Sequence, residues 1–86
     1  MPRISEFFGI IIAMYYNDHS PPHFHAKHGD EQASLRIDNG EILEGALGAR
    51  VRRLVEAWRL QHRTDLSRDW SRAQARLPLS RIEPLE

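Results

Sequence analysis

An α+β fold, a four-stranded antiparallel meander followed by two C-terminal helices packed on one of its faces, is what this sequence predicts. Three observations carry that prediction. Residues 8–44 are written in strand-like segments separated by glycine- and proline-containing turns, apolar positions take up a helical period after Gly45, and a proline-bracketed tail closes the chain. The 86 residues make a single domain, with the sheet over 1–46, the two helices over 47–77 and an extended tail over 78–86. A chain of this length buries only about 60–65 % of the surface its unfolded form exposes, so any site must lie on a face or in a shallow groove.

The first strand is expected over Phe8 to Tyr16, where β-branched and aromatic residues are apolar on both alternating faces. That pattern belongs to a strand covered on both sides, so its place is central in the sheet. Pro21 and Pro22 lack ladder donors and stop the extension, leaving a rigid connection over Asn17 to Pro22. From His23 the chain alternates, with Phe24 and Ala26 on one face and His23, His25 and Lys27 on the other. A two-residue Gly29-Asp30 turn then sets Ala26 opposite Ala33, Phe24 opposite Leu35, His25 opposite Ser34 and His23 opposite Arg36. Asn39-Gly40 is the strongest short hairpin signal and starts a fourth strand, Glu41 to Glu44, with Ile37 opposite Ile42. Leu43 and Glu44 fall on the wrong faces for a clean alternation, which predicts a short or bulged strand.

Leu47, Val51, Leu54, Val55 and Trp58 form one helical stripe, continued by Leu66, Trp70, Ala73 and Leu77. One unbroken helix from Ala49 to Arg76 would be about 42 Å long. The radius of gyration expected of the chain is only about 12 Å, so the helix must break, and Thr64 or Asp65 is the expected N-cap of its second half. The helices are expected to cover the Phe24, Ala26, Leu35 and Ile37 side. The His23, His25, Lys27 and Arg36 side then stays open. The tail, with Ser80-Arg81-Ile82 between Pro78 and Pro84, is expected to add an edge strand or to embrace a partner.

Composition narrows the chemistry. There is no cysteine, which excludes disulfides, thiolate metal sites and a cysteine nucleophile and fits a reducing compartment. The longest apolar run, Phe7 to Tyr16, is far short of the ~20 residues needed to span a bilayer, and Glu6 before it does not suit a signal peptide. A cytoplasmic location is expected. Net charge is zero, yet residues 1–46 hold three basic against seven acidic side chains, a net of −4. Residues 47–86 hold nine arginines against five acids, a net of +4, and no lysine. An arginine face, with Arg50 and Arg53 as its candidate binding residues, suits an acidic protein partner or RNA, or is simply a solvated helix surface.

Four of the five histidines, His19, His23, His25 and His28, fall within ten residues, beside Tyr15, Tyr16, Asn17 and Asp18. Imidazole is the side chain that titrates nearest neutrality, so the cluster points to proton transfer or metal binding. Three readings follow from the residues. In the first, His23 and His25 serve as acid and base with Arg36 and His19 beside them, cleaving RNA without a metal while Tyr15 or Tyr16 stacks a base. In the second, His19, His23 and His25 ligate a metal, with Asp18 as an alternative oxygen donor in place of His19. In the third, Tyr15 to Lys27 with Arg50 and Arg53 is a binding surface for a partner protein, and the histidines satisfy the turn. His28 and His62 are expected to be partly buried packing residues.

The string Met14 to Ala26, containing Asn17-Asp18-His19-Ser20-Pro21-Pro22-His23-Phe24-His25-Ala26, the opening Ile4 to Phe8, the segment Gly40 to Gly45 and the closing Ile82-Glu83-Pro84-Leu85 together resemble the bacterial domain-of-unknown-function family numbered 4160. The resemblance runs over essentially the whole chain. It implies a small cytoplasmic protein encoded beside another small protein in a toxin-antitoxin-like pair, and the expected function is binding of that partner, as the toxin component; no cofactor and no membrane association are expected. It also marks Tyr16, Asn17, Asp18, His19, His23 and His25 as a functional surface, and it carries no reaction over to particular residues.

Overall fold

The computed structural model describes residues 2–85. Five strands, β1 (Arg3–Phe7), β2 (Ile10–Ala13), β3 (His23–His28), β4 (Glu31–Arg36) and β5 (Ile42–Ala46), form one antiparallel sheet in sequence order. Two helices follow, α1 (Ala49–Gln61) and α2 (Arg63–Gln74).

The single long strand expected over Phe8 to Tyr16 is instead cut in two. Phe8 (φ 49°) and Gly9 (φ 77°) both take left-handed backbone angles and close a two-residue hairpin that pairs Phe7 with Ile10. Positive φ at both loop positions is the type I′ geometry, whose twist matches that of the flanking strands. Gly9 was therefore a turn signal inside an apolar run, and the sheet has five strands rather than four. Only the inner face is covered, by burial of Ile4, Ile10 and Ile12, because β1 is an edge strand and Ile11 and Ala13 of β2 line a groove on the outer face, so the central strand covered on both sides is not formed.

The β3–β4 register is the one the alternation predicts: His23 pairs with Arg36, Phe24 with Leu35, His25 with Ser34 and Ala26 with Ala33. The next hairpin differs. Ile42 pairs with Leu35 and not with Ile37, across a register shift between Ser34 and Leu35, and β5 runs on to Ala46. The left-handed Gly45 (φ 80°) lies so close to the carbonyl of Gln32 that only a glycine fits beside β4.

The inner face of the sheet carries the core. Phe24 meets the Trp58 ring edge-on at 5.8 Å, Phe7 meets it at 5.5 Å, and Val51, Val55 and Leu66 complete the layer supplied by the helices. The helix break falls at His62 rather than at Thr64 or Asp65, neither of which caps. His62 (φ −125°) leaves the helical region while its N–H still bonds the carbonyls of Trp58 and Arg59. Asp65 sits one turn into α2, where the helix dipole favours it, facing His62 Nδ1 at 3.3 Å. The break keeps the molecule within 33 Å along its longest axis, shorter than the unbroken helix would be. His62 packs on Trp58 and is half-buried, as expected.

Leu77 does not continue the helical stripe. α2 ends at Gln74, Arg76 takes φ 58°, and Leu77 is left 53 % exposed. The tail forms no strand over its described residues. It runs back over its own domain, where Ile82 N–H donates to the Ile4 carbonyl (2.7 Å), Trp58 Nε1–H to the Glu83 carbonyl (2.8 Å) and Ser80 N–H to Asp69 Oδ1 (2.9 Å). Glu86 lies outside the described residues. Among those described, no helix is long and apolar enough to cross a membrane.

Candidate metal centre

Alternation along β3 sends His23 and His25 to the outer face of the sheet, two residues apart. The connection between β2 and β3 turns at Tyr16-Asn17, passes the cis Ser20–Pro21 bond and brings Asp18 back over the two rings. Asp18 Oδ2 then lies 2.9 Å from His25 Nε2 and 3.2 Å from His23 Nε2. These three side chains are a group whose donor atoms all lie within 4.8 Å of one another. All three are partly buried.

The two rings are held differently. His23 Nδ1 is 2.7 Å from the carbonyl oxygen of Pro21. A carbonyl only accepts, so Nδ1 carries the hydrogen and, in neutral imidazole, Nε2 presents a lone pair toward Asp18. The ring is clamped between His25 (centroids 5.2 Å) and Trp70 of α2 (5.3 Å). His25 is braced by the edge of Tyr15 at 4.5 Å. The loop carrying Asp18 is tied to the end of α2, because Gln74 Nε2 donates to the Asp18 carbonyl (3.3 Å) and an Arg76 nitrogen to Asn17 Oδ1 (3.2 Å).

Of the residues singled out from the sequence, His23, His25, Asp18 and Tyr15 come together and the others do not. His19 is exposed, and its place as third donor is taken by Asp18. Arg36 stands opposite His23 in the ladder, but its guanidinium is held by Asp38 through two hydrogen bonds of 2.9 and 2.8 Å. That pairing raises the Arg36 pKa and lowers that of Asp38, mainly through the hydrogen bonds. A His23, His25, Arg36 acid-base triad is therefore not assembled. Tyr16 packs against the core. Lys27 is exposed on the outer face, whereas Arg50 and Arg53 are exposed on α1, which lies against the inner face. His28 is half-exposed at the end of β3, the central strand, facing Glu31 at 3.8 Å.

The alternation predicts that His23 lies on open sheet, and it does not. Trp70 covers it and leaves its side chain 12 % exposed. Trp70 carried only the signal of a helical stripe, and Gln74 and Arg76 carried none, so the contribution of α2 to the site was not readable from local pattern. Beside His25 the outer face holds a groove of about 350 Å³, lined among others by Ile11, Ala13, Tyr15, Lys27, Ser34 and Glu44.

No curated protein and no solved structure matches the chain. The family model for a domain of unknown function, DUF4160, matches residues 9–71, a span that takes in the Asp18, His23 and His25 cluster together with β2 to β5, α1 and most of α2. By that match the chain belongs to the DUF4160 family.

Proposed function

We propose that this protein binds a divalent first-row transition metal through Asp18 Oδ2, His23 Nε2 and His25 Nε2, and works as a metal-dependent binding or catalytic module on the outer face of its sheet. The observation that carries the reading is the approach of both Nε2 atoms to one carboxylate oxygen, at 2.9 and 3.2 Å. Two donors each about 2.0–2.1 Å from one ion, at octahedral or tetrahedral angles, stand roughly 2.9–3.4 Å apart. With His23 donating through Nδ1 to Pro21, its Nε2 is left to face the same carboxylate oxygen as His25 Nε2, the placing of three donors that a shared cation needs. The Pro21 carbonyl is also the kind of outer partner that fixes the tautomer of a ligating histidine. Two imidazoles and one carboxylate suit zinc, nickel, cobalt or iron over calcium and magnesium, which prefer oxygen-only sets, and leave coordination positions for a ligand from the groove.

Metal titration followed by calorimetry and thermal melting tests this. At a free metal concentration 100 times Kd, stabilisation is about 2.7 kcal/mol, which for a domain of this size raises Tm by roughly 10–20 °C. Asp18→Asn and His25→Ala should each abolish most of that rise while leaving the metal-free melting point nearly unchanged. A wild-type Tm indifferent to zinc, nickel and cobalt would refute the reading.

A second reading, contact with a small acidic partner protein encoded nearby, as in a toxin-antitoxin-like pair, is favoured by the exposed Arg50 and Arg53 on the side of α1 away from the sheet. Copurification with the product of the adjacent gene, lost in Arg50→Glu/Arg53→Glu, supports it, and copurification unaffected by that double change counts against it.

A further inference from the structure

Five charged groups of the outer face stand around the proposed centre, and they differ in whether they are already paired. Arg36 is held by Asp38, while Lys27 and Glu44 have no hydrogen-bond or ion-pair partner among the described residues. Arg3 and Glu6 of β1 pair with each other at 3.4 Å. Lys27 is two residues beyond His25 on the same strand and the same face, roughly 7 Å along the chain direction. Glu44 is on β5, opposite Ser34, which is itself opposite His25, so it stands two strands, roughly 10 Å, from β3.

A divalent ion held by two neutral imidazoles and one carboxylate keeps one positive charge, and Lys27 adds another beside it. The charge complement of that end of the groove is a dianion. Alongside these two points, on β2, Ala13 stands opposite His25 and Ile11 opposite Lys27, an apolar side to the groove that suits a short carbon chain. Glu44, at the opposite side, repels an anion that extends across the sheet and confines both negative ends to the β3 side.

Resting on the metal reading above, we propose that the groove binds a small dicarboxylic acid carrying a 2-hydroxy or 2-oxo group, which chelates the metal through that end and pairs its second carboxylate with Lys27. The three protein donors leave neighbouring coordination positions for such a chelate. Lys27, on a flexible four-carbon stem, reaches back toward the distal carboxylate.

Malate and lactate share the chelating end and differ in the distal carboxylate, so the pair isolates the part played by Lys27. Cobalt uptake by the full chain is titrated first, and each acid is then added to protein carrying one equivalent of cobalt, with the visible cobalt absorption as the readout. Malate should bind wild type about tenfold more tightly than lactate, the effect of one well-formed charged hydrogen bond. In Lys27→Met that ratio should fall to about one while cobalt affinity is unchanged. Equal binding of the two acids by wild type, or a ratio that survives Lys27→Met, overturns the assignment and leaves the metal centre standing. Absence of cobalt uptake by wild type overturns both, and the first titration shows it separately.

Discussion

Phe8 is a bulky residue in the left-handed region, 56 % exposed at the tip of the first hairpin. An L-residue there costs about 1–2 kcal/mol, and asparagine tolerates it best among non-glycine residues. Phe8→Asn creates the Asn-Gly pair that type I′ turns favour, so urea denaturation should show a gain of about 0.5–1 kcal/mol, and a loss would mean that Phe8 is held by contacts beyond its edge-on meeting with Phe7. Gly45 runs the other way. A Cβ there would strike the Gln32 carbonyl at a positive φ, so Gly45→Ala should cost about 2 kcal/mol or more in the same measurement, with β5 the first strand to lose amide protection. The reach of local reading shows at these two sites, since Gly9 beside Phe8 and Gly45 can both be seen in the sequence but neither announces whether it closes a turn or clears a neighbouring strand.

At the scale of elements, α1 is pinned to the β4–β5 turn by the buried guanidinium of Arg59, which also pairs within the helix with the partly exposed Glu56. Arg59 is 3 % exposed, its Nη1 donates to the Ile37 carbonyl at 2.8 Å, and its Nε and Nη2 donate to the Glu56 carboxylate. Gly40 has no side chain where those two groups meet, and any Cβ there would collide with Glu56 and Arg59. The Asn39-Gly40 signal therefore marks a close approach to a helix as well as a turn. Arg59→Met should destabilise by about 1–3 kcal/mol, because it leaves a buried carbonyl and a carboxylate without their donor. Hydrogen bonding to Arg59 lowers the Glu56 pKa from its usual 4.5. Its contribution is therefore complete above that value and is lost as pH falls through the lower folded-state value. Stability measured between pH 7 and pH 3 should fall less steeply in Glu56→Gln than in wild type, by a modest amount because Glu56 is partly solvated.

For the whole molecule, the candidate site joins the sheet to the end of α2. Trp70 lies on His23, while Gln74 and Arg76 hold the segment that carries Asp18. A metal bound at Asp18, His23 and His25 should consequently slow amide exchange in residues 15–25 and also in 70–76, far along the sequence. Protection confined to the loop would show that α2 is not coupled to the centre.

By itself the sequence determined the α+β class, the β3–β4 register, the two faces of β3 and the stripe that buries Trp58. All of these follow from the periods of the backbone, two in a strand and 3.6 in a helix, which act on residues near one another in the chain. Only the tertiary structure decided that the first apolar run folds into two strands, that the helices part at His62, that Asp18 rather than His19 meets the two imidazoles, that Asp38 takes Arg36 out of their reach and that Trp70 covers His23. Each of those outcomes depends on where a loop or a distant helix passes in space, and spacing along the chain carries no record of that path.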